Sequence, residues 1–271
     1  MPELPEVETT RRGIRGHIEG QQVRNVTVRQ RSLRWPVPAS IGKRLHDQTL
    51  HQVQRRGKYL LLSLDHGTLI LHLGMSGNLR ILPCDTPAEK HDHLDICFGN
   101  NKMLRLHDPR RFGAALWTSD PVEEHELLSR LGPEPLEQAF TGTHLYRLSR
   151  KRRSAVKNFI MDSHIVVGVG NIYASESLFL AGIHPARAAG KISKERYELL
   201  ANAIKSVLKK AIREGGTTLK DFVREDGRPG YFAQSLNVYG RAGLPCPACG
   251  SPIKSSTIGQ RSSYYCPQCQ R

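Results

Sequence analysis

Two Cys-x-x-Cys pairs, Cys246/Cys249 and Cys266/Cys269, stand near the end of the chain with sixteen residues between them. Each pair supplies two thiolates from one tight knuckle, and the spacer is long enough for a β-hairpin. In a reducing compartment that spacing reads as one structural zinc ion rather than as two disulfides. It fixes the segment 237–271 as a metal-pinned hairpin, whatever the rest of the chain does. The other two cysteines, Cys84 and Cys97, are isolated in sequence and read as reduced thiols of no special role.

Ahead of the finger the hydrophobic period changes twice. Leu4, Val7, Ile14 and Ile18 fall at helical spacing behind Pro2 and Pro5, which predicts an amphipathic first helix. From about Gln22 to Leu116, short apolar and β-branched runs alternate with turn residues. "VRNVTVRQ", "YLLLSLDHGTLILHLG", "HLDICFGNNKMLRL" and "FGAALW" read as strands, with "DHG" and "GNN" as hairpin turns and "MSGNLRI" as a loop. Such strands with short connections predict an antiparallel sandwich or barrel. The prolines of "LGPEPLE" mark its end. Beyond them, 154–161 and a segment starting near Asn171 read as helices. "ISKERYELLANAIKSVLKKAIREGG" reads as a long one, with Leu199, Leu200, Ala203, Ile204, Val207, Leu208 and Ala211 on one face. The expected domains are therefore 1–132, 133–236 and 237–271, an α+β multidomain chain.

Charge narrows the partner. Forty Lys and Arg against 25 Asp and Glu leave a formal net charge of +15, which steers a chain toward a polyanion. No apolar run has the roughly 20 residues needed to span a bilayer, and no secretory signal is evident, so a cytosolic nucleic-acid binder is expected. After Asp226 there are no carboxylates, while Arg228, Arg241, Lys254, Arg261 and Arg271 remain. A finger of that composition suits phosphate contact.

Several short stretches carry chemistry. "GVGNIYASE" lacks the third glycine of a dinucleotide fingerprint and lies between helical segments. It reads instead as a turn delivering a helix N-terminus, where backbone N–H groups and Asn171 can hold a phosphate beside "KRRSAVK", with its Lys157. Met75 in "MSGNLRI" and Arg110 and Phe112 in "HDPRRFG" combine a flexible apolar side chain, a cation and an aromatic next to turn residues, as wedges between base pairs do. In "KHDHLD", adjacent strand residues point to opposite faces, so His91, Asp92 and His93 converge poorly on a metal, and a phosphate contact suits His91 better. At the N-terminus, Met before Pro is commonly removed. That would leave Pro2 as a secondary α-amine, a class of group with a pKa near ~7.7–8.0 and hence nucleophilic near neutral pH. Glu3 and Glu6 also suit a helix first turn through the macrodipole.

Taken together, "PELPEVET", "GKYLLL", "HLGMSG", "HDPRRFG", "VVGVGNIYASE" and "YYCPQCQ" resemble the formamidopyrimidine-DNA glycosylases, bacterial base-excision repair enzymes for oxidised purines. The motifs run from residue 2 to 270, and Leu4 favours the formamidopyrimidine branch over the sister endonuclease VIII branch, which typically begins Pro-Glu-Gly-Pro. The resemblance implies an N-terminal antiparallel β-sandwich with flanking helices, a helix–two-turn–helix domain and a zinc-finger β-hairpin. It implies a monomer acting on double-stranded DNA that contains oxidised purines or abasic sites, in the bacterial cytoplasm on the nucleoid, with one structural zinc on Cys246, Cys249, Cys266 and Cys269. By motif, Pro2 would be the nucleophile, Glu3 its acid–base partner, and Lys58 and Arg261 aids to elimination. His91, Arg110, Arg152, Lys157 and Asn171 would contact DNA, and Met75, Arg110 and Phe112 would fill the gap left by an extruded base. A lesion-covering loop is expected around 217–226. Two other readings stay open on the residues alone: a non-enzymatic zinc-ribbon binder whose Pro-Glu start is only a helix cap, and a pyrimidine-lesion enzyme of the sister branch.

Overall fold

The computed structural model describes residues 2–216 and 236–271. Met1, on whose removal the amine of Pro2 depends, and the 217–226 loop lie outside the described residues. Those described fall into two compact units, 2–129 with 215–216, and 130–214 with 236–271.

The first unit opens with helix α1, Leu4–Ile18. Its apolar face is fully buried, and its start is closed by a capping box in which Oε2 of Glu6 accepts the Glu3 N–H at 2.8 Å. Then follow strand β1 (Val23–Val28), the short helix α2 (Ile41–Leu45), and strands β2 (Leu50–Arg56), β3 (Tyr59–Leu64), β4 (Gly67–His72), β5 (Asn78–Pro83), β6 (Asp92–Phe98), β7 (Lys102–His107) and β8 (Ala114–Thr118). They build two four-stranded antiparallel sheets, in the orders β1-β6-β7-β5 and β2-β3-β4-β8. Inward residues of both sheets, among them Leu60, Leu62, Leu69, Leu71, Leu94 and Leu104, share one apolar core with Val7, Ile14 and Ile18 of α1. This is the expected sandwich.

Two strands, both at sheet edges, lie outside the runs that read as strands in the sequence. In β2 only Leu50 and Val53 are buried among polar residues. In β5, Asn78–Pro83 pairs with β7 from His107 to Lys102, so most of "MSGNLRI" is strand and only its start is loop. An edge strand has one neighbour and less apolar surface to bury, so its sequence signal is weak.

The second unit holds α3 (Gly142–Ser149), α4 (Val156–Met161), α5 (Asn171–Leu180), α6 (Lys194–Arg213) and the hairpin β9 (Lys254–Ile258) and β10 (Arg261–Tyr265). Thr141 and Ser193 cap α3 and α6 through their hydroxyls. Helix α5 is buried nearly all round, which is why it shows little amphipathic pattern. Along α6 the expected face is buried except for Leu199, which is 58% exposed. At ~100° per residue it sits roughly 110° from the centre of that stripe, on the flank. The finger packs on α5 through Phe179, Val238, Cys246, Ile253 and Cys266. Among the described residues, no helix is long and apolar enough to cross a membrane.

Candidate catalytic and DNA-binding site

In the first unit, the capping box orders the residues it joins. Pro2 directly precedes the cap, and both Pro2 and Glu3 are buried, with Glu3 at 2% exposure. The helix start is thus a fixed mount rather than a fraying end. Lys58 sits with Gly57 in the tight β2–β3 turn, half-buried. Its charge is felt by His72, at the end of β4: burial first, then the positive charges of Lys58 and Arg34, push this imidazole down to about 4. Neutral His72 uses Nδ1 to accept the Gly74 N–H at 3.1 Å, and its ring lies 4.8 Å from that of Tyr59.

Met75 lies on the β4–β5 connection and Arg110 and Phe112 on the β7–β8 connection. Arg110 is exposed, Phe112 is 43% exposed, and the Arg110 guanidinium stacks 5.0 Å from the Phe112 ring. A large exposed aromatic beside a cation is costly for a surface with no partner, and it suits insertion into a base stack. His91 is half-buried, in a left-handed backbone conformation (φ 76°), 6.0–6.3 Å from the rings of His107 and His93. Burial, then the charges of Lys90 and His107, lower its pKa.

In the second unit, Asn171 is the first residue of α5, as the glycine turn predicts. Its Nδ2 donates to the Ser262 carbonyl at 3.0 Å and reaches the Tyr239 hydroxyl at 3.4 Å, so α5 and the finger hairpin are joined there. Arg261 begins β10, exposed, at the hairpin tip. The tip turns through Gly259 and Gln260, both at positive φ, and a Cβ at 259 would lie 2.4 Å from the Asn158 side chain. The left-handed backbone and the close approach to α4 both favour glycine here. Arg152 is exposed on the α3–α4 connection.

Lys157 differs from its expected place on the DNA surface. Its side chain is fully buried, and Nζ donates to Asn171 Oδ1 at 2.6 Å, Ser263 Oγ at 2.6 Å and the Ser262 carbonyl at 3.0 Å. An ammonium has three N–H donors, and all three are given to protein acceptors. The residue stands behind Asn171.

The four finger sulfurs lie within 4.8 Å of one another, with Cys246–Cys269 at 3.9 Å and Cys249–Cys266 at 3.5 Å. Tetrahedral zinc at ~2.3 Å from each sulfur requires separations of about 3.8 Å, so the set fits the ion. The knuckles are equivalent: the Gly250 N–H donates to the Cys246 carbonyl at 2.9 Å and the Gln270 N–H to the Cys266 carbonyl at 3.1 Å.

Sequence reasoning passed over His72, Tyr239, Glu176, Ser76 and Asp108. The Glu176 carboxylate, buried in α5, accepts the backbone N–H groups of Asn237, Val238 and Tyr239 at 2.8–2.9 Å. The one available signal was the single charged residue of a mostly buried helix.

A β-sandwich with a buried Pro-Glu start, a helical unit offering an amide at a helix N-terminus, and a basic zinc finger define a helix–two-turn–helix DNA glycosylase. Three family models match: the formamidopyrimidine-DNA glycosylase N-terminal domain over 1–115, its H2TH domain over 131–223, and the zinc finger found in FPG and IleRS over 243–271. The formamidopyrimidine-DNA glycosylase of Methylococcus capsulatus is 61% identical over 271 residues, all of both chains. The MutM (Fpg) protein of Thermus thermophilus superposes with a TM-score of 0.88 at 38% identity, covering 99% of this chain and 98% of that one. Lactococcus lactis Fpg, solved with DNA containing Fapy-dG, gives 0.91 at 34% identity, over 99% and 100%. The chain belongs to the formamidopyrimidine-DNA glycosylase family. It is a base-excision repair enzyme, both glycosylase and abasic-site lyase, whose partner is DNA and whose finger holds one zinc ion.

Proposed function

We propose that Pro2, freed by loss of Met1, is the nucleophile with which this chain excises oxidised purines such as 8-oxoguanine and formamidopyrimidines from duplex DNA. The observation that carries the reading is the rigid, buried Pro2–Glu3 mount at a capped helix start, in a chain of this family.

A stacked base is out of reach of the amine, so the nucleotide is first extruded, at a cost of a few kcal/mol. Met75, Arg110 and Phe112 fill the vacated space and offset that cost. The Pro2 nitrogen then forms a bond to C1′ of the sugar, the damaged purine departs with the glycosidic electron pair, and Glu3 protonates the ring oxygen as the sugar opens. The product is an iminium, an electron sink like a lysine Schiff base. It acidifies the C2′ proton, whose loss expels the 3′ phosphate by β-elimination; a second, δ-elimination expels the 5′ phosphate. Hydrolysis of the iminium returns the amine. Lys58 and Arg261 bind the departing phosphates, and His91, Arg152 and Asn171 hold the backbone. Lys157 serves this grip from behind, through Asn171.

In this reading the chain comprises a catalytic sandwich (1–132), a helix–two-turn–helix domain with the lesion loop (133–236) and the finger (237–271), and works as a cytoplasmic monomer on the nucleoid. Borohydride trapping on duplex DNA carrying 8-oxoguanine opposite cytosine tests it, with intact mass first verifying that Met1 is gone. The expected result is a covalent protein–DNA adduct that Pro2→Gly abolishes. No adduct from processed protein would remove Pro2 as the nucleophile, and preferential excision of oxidised thymine would overturn the purine preference.

A further inference from the structure

Asp108 is 0% exposed, yet it takes no part in the chemistry described above. A buried carboxylate is an expensive residue and needs every lone pair used. Its Oδ1 accepts the Ser76 hydroxyl at 2.8 Å, and its Oδ2 accepts the Gly113 N–H at 2.7 Å. Ser76 follows Met75, and Gly113 follows Phe112. One carboxylate therefore holds both loops that carry the wedge, one oxygen to each.

Two further contacts make the junction specific. The Ser76 Oγ that donates to Asp108 also accepts the Arg110 N–H at 3.2 Å, so the first loop fixes the backbone of the second. Gly74, in the left-handed region (φ 63°), lies so close to the second loop that a Cβ there would stand 2.3 Å from the Phe112 carbonyl carbon and 2.5 Å from the Gly113 nitrogen. Backbone meets backbone with no side chain between. Asp108 is itself anchored through its main chain: its N–H donates to the His91 carbonyl at 3.0 Å, and its carbonyl accepts from His93 Nε2 at 2.8 Å.

Prising a base out of a duplex requires the inserted residues to resist being pushed back. Two loops that moved independently would yield to the stack. We infer that Asp108 is a positioning residue that locks the Met75 loop and the Arg110–Phe112 loop into one rigid wedge, so that base extrusion, rather than chemistry at Pro2, depends on its carboxylate. The inference rests on the wedge assignment made above. Asn in place of Asp keeps the shape but removes the charge. With its amide oxygen still accepting the Gly113 N–H, its N–H₂ must donate to Ser76 Oγ, so the charge-assisted bond from the Ser76 hydroxyl is lost and its direction reversed.

The test compares two substrates under single-turnover conditions: duplex DNA with 8-oxoguanine opposite cytosine, which must be opened, and a single-stranded abasic site, which needs no extrusion. A 2-aminopurine beside the lesion reports unstacking directly. Asp108→Asn is expected to slow duplex excision and the 2-aminopurine signal together, by roughly ten- to a hundredfold, from the loss of one charge-assisted bond. Single-strand cleavage is expected to stay within about twofold, a change of ~0.4 kcal/mol. Parallel loss on both substrates, or unchanged duplex excision, overturns the inference. Ser76→Ala, a milder change, must show the same split on a smaller scale, and equal effects on the two substrates overturn it as well. Met75→Ala separates the two levels. If it leaves duplex excision intact, the wedge assignment fails and takes the inference with it; if it slows duplex excision while Asp108→Asn does not, the inference alone fails.

Discussion

The Lys157 ammonium lies 2.6 Å from the amide oxygen of Asn171, fully buried, and so decides which face of that amide is turned outward. With Oδ1 taken by a cation, Nδ2 faces the other way and donates to the Ser262 carbonyl at 3.0 Å and, at a long 3.4 Å, to the Tyr239 hydroxyl; a phosphate at the head of α5 would take over the weaker of these two donors. Lys157→Met keeps the length and removes the charge, leaving Asn171 Oδ1, Ser263 Oγ and the Ser262 carbonyl short of a donor. Loss of such buried, charge-assisted bonds is expected to cost about 2–4 kcal/mol in urea denaturation and to weaken binding to abasic-site DNA. Asn171→Asp keeps the acceptor for Lys157 and removes the donor, so it is expected to weaken binding with a much smaller stability loss. Similar stability losses for the two would show that the pair is structural only.

Arg261 gives the complementary case, since it is exposed at the hairpin tip and its removal leaves no buried partner unsatisfied. Arg261→Ala should change stability by no more than about 0.5 kcal/mol. One lost phosphate contact should weaken abasic-DNA binding by roughly ten- to a hundredfold and lower the slope of log affinity against log salt by about 1. Titrations at several salt concentrations measure both. An unchanged slope would mean that this guanidinium meets no phosphate.

Metal removal separates finger from sandwich. Apart from two of the cysteines, the finger's core is Phe179, Val238 and Ile253, too little apolar surface to fold a hairpin unaided. Chelation, with loss of metal verified, is expected to expose four titratable thiols and disrupt the Tyr239–Tyr264 contact, whose rings are 5.0 Å apart. DNA affinity should fall with it, while the far larger sandwich core keeps its cooperative unfolding transition. Affinity that survives chelation would remove the finger from the grip.

What the sequence disclosed follows the physics of each element. The α1 face, the central strands and the four cysteines were legible because periodicity and ligand spacing are local properties. Edge strands β2 and β5 were faint because they bury little, and Leu199 was misplaced because a stripe's flank looks apolar in sequence. The roles of Pro2, Lys58 and Arg261 came from the family resemblance; composition alone leaves them a helix cap and two surface cations. Lys157 and Asp108 were illegible for a deeper reason. Their partners lie 14 to 106 and 5 to 32 residues away, and burial of a charge is a tertiary fact.

Acid should loosen the mount of Pro2 in a defined window. Glu8 on α1 lies 2.9 Å from Arg11, 2.8 Å from Arg12 and 3.3 Å from Arg55 of β2, tying the helix to the sheet. Burial pushes its carboxyl up, but hydrogen bonds from Arg11 and Arg12 and the charges of Arg11 and Arg55 together outweigh it and hold the pKa at about 2. A folded-state pKa below the ordinary 4.5 means that the unfolded chain takes up the proton first as pH falls. The stabilisation is thus complete above about 4.5 and is lost on going down to about 2. With Arg12 largely in solvent, it is on the order of 1–3 kcal/mol. Glu8→Gln should therefore be less stable than the parent by that amount at pH 7, and the two stability curves should converge below pH 4.5. His72, held at about 4 by burial, Lys58 and Arg34, gives a separate slope between about 6.5 and 4 that both proteins share. Urea midpoints from pH 2 to 7 measure this, and parallel curves across the whole range would show that the Glu8 cluster does not anchor α1.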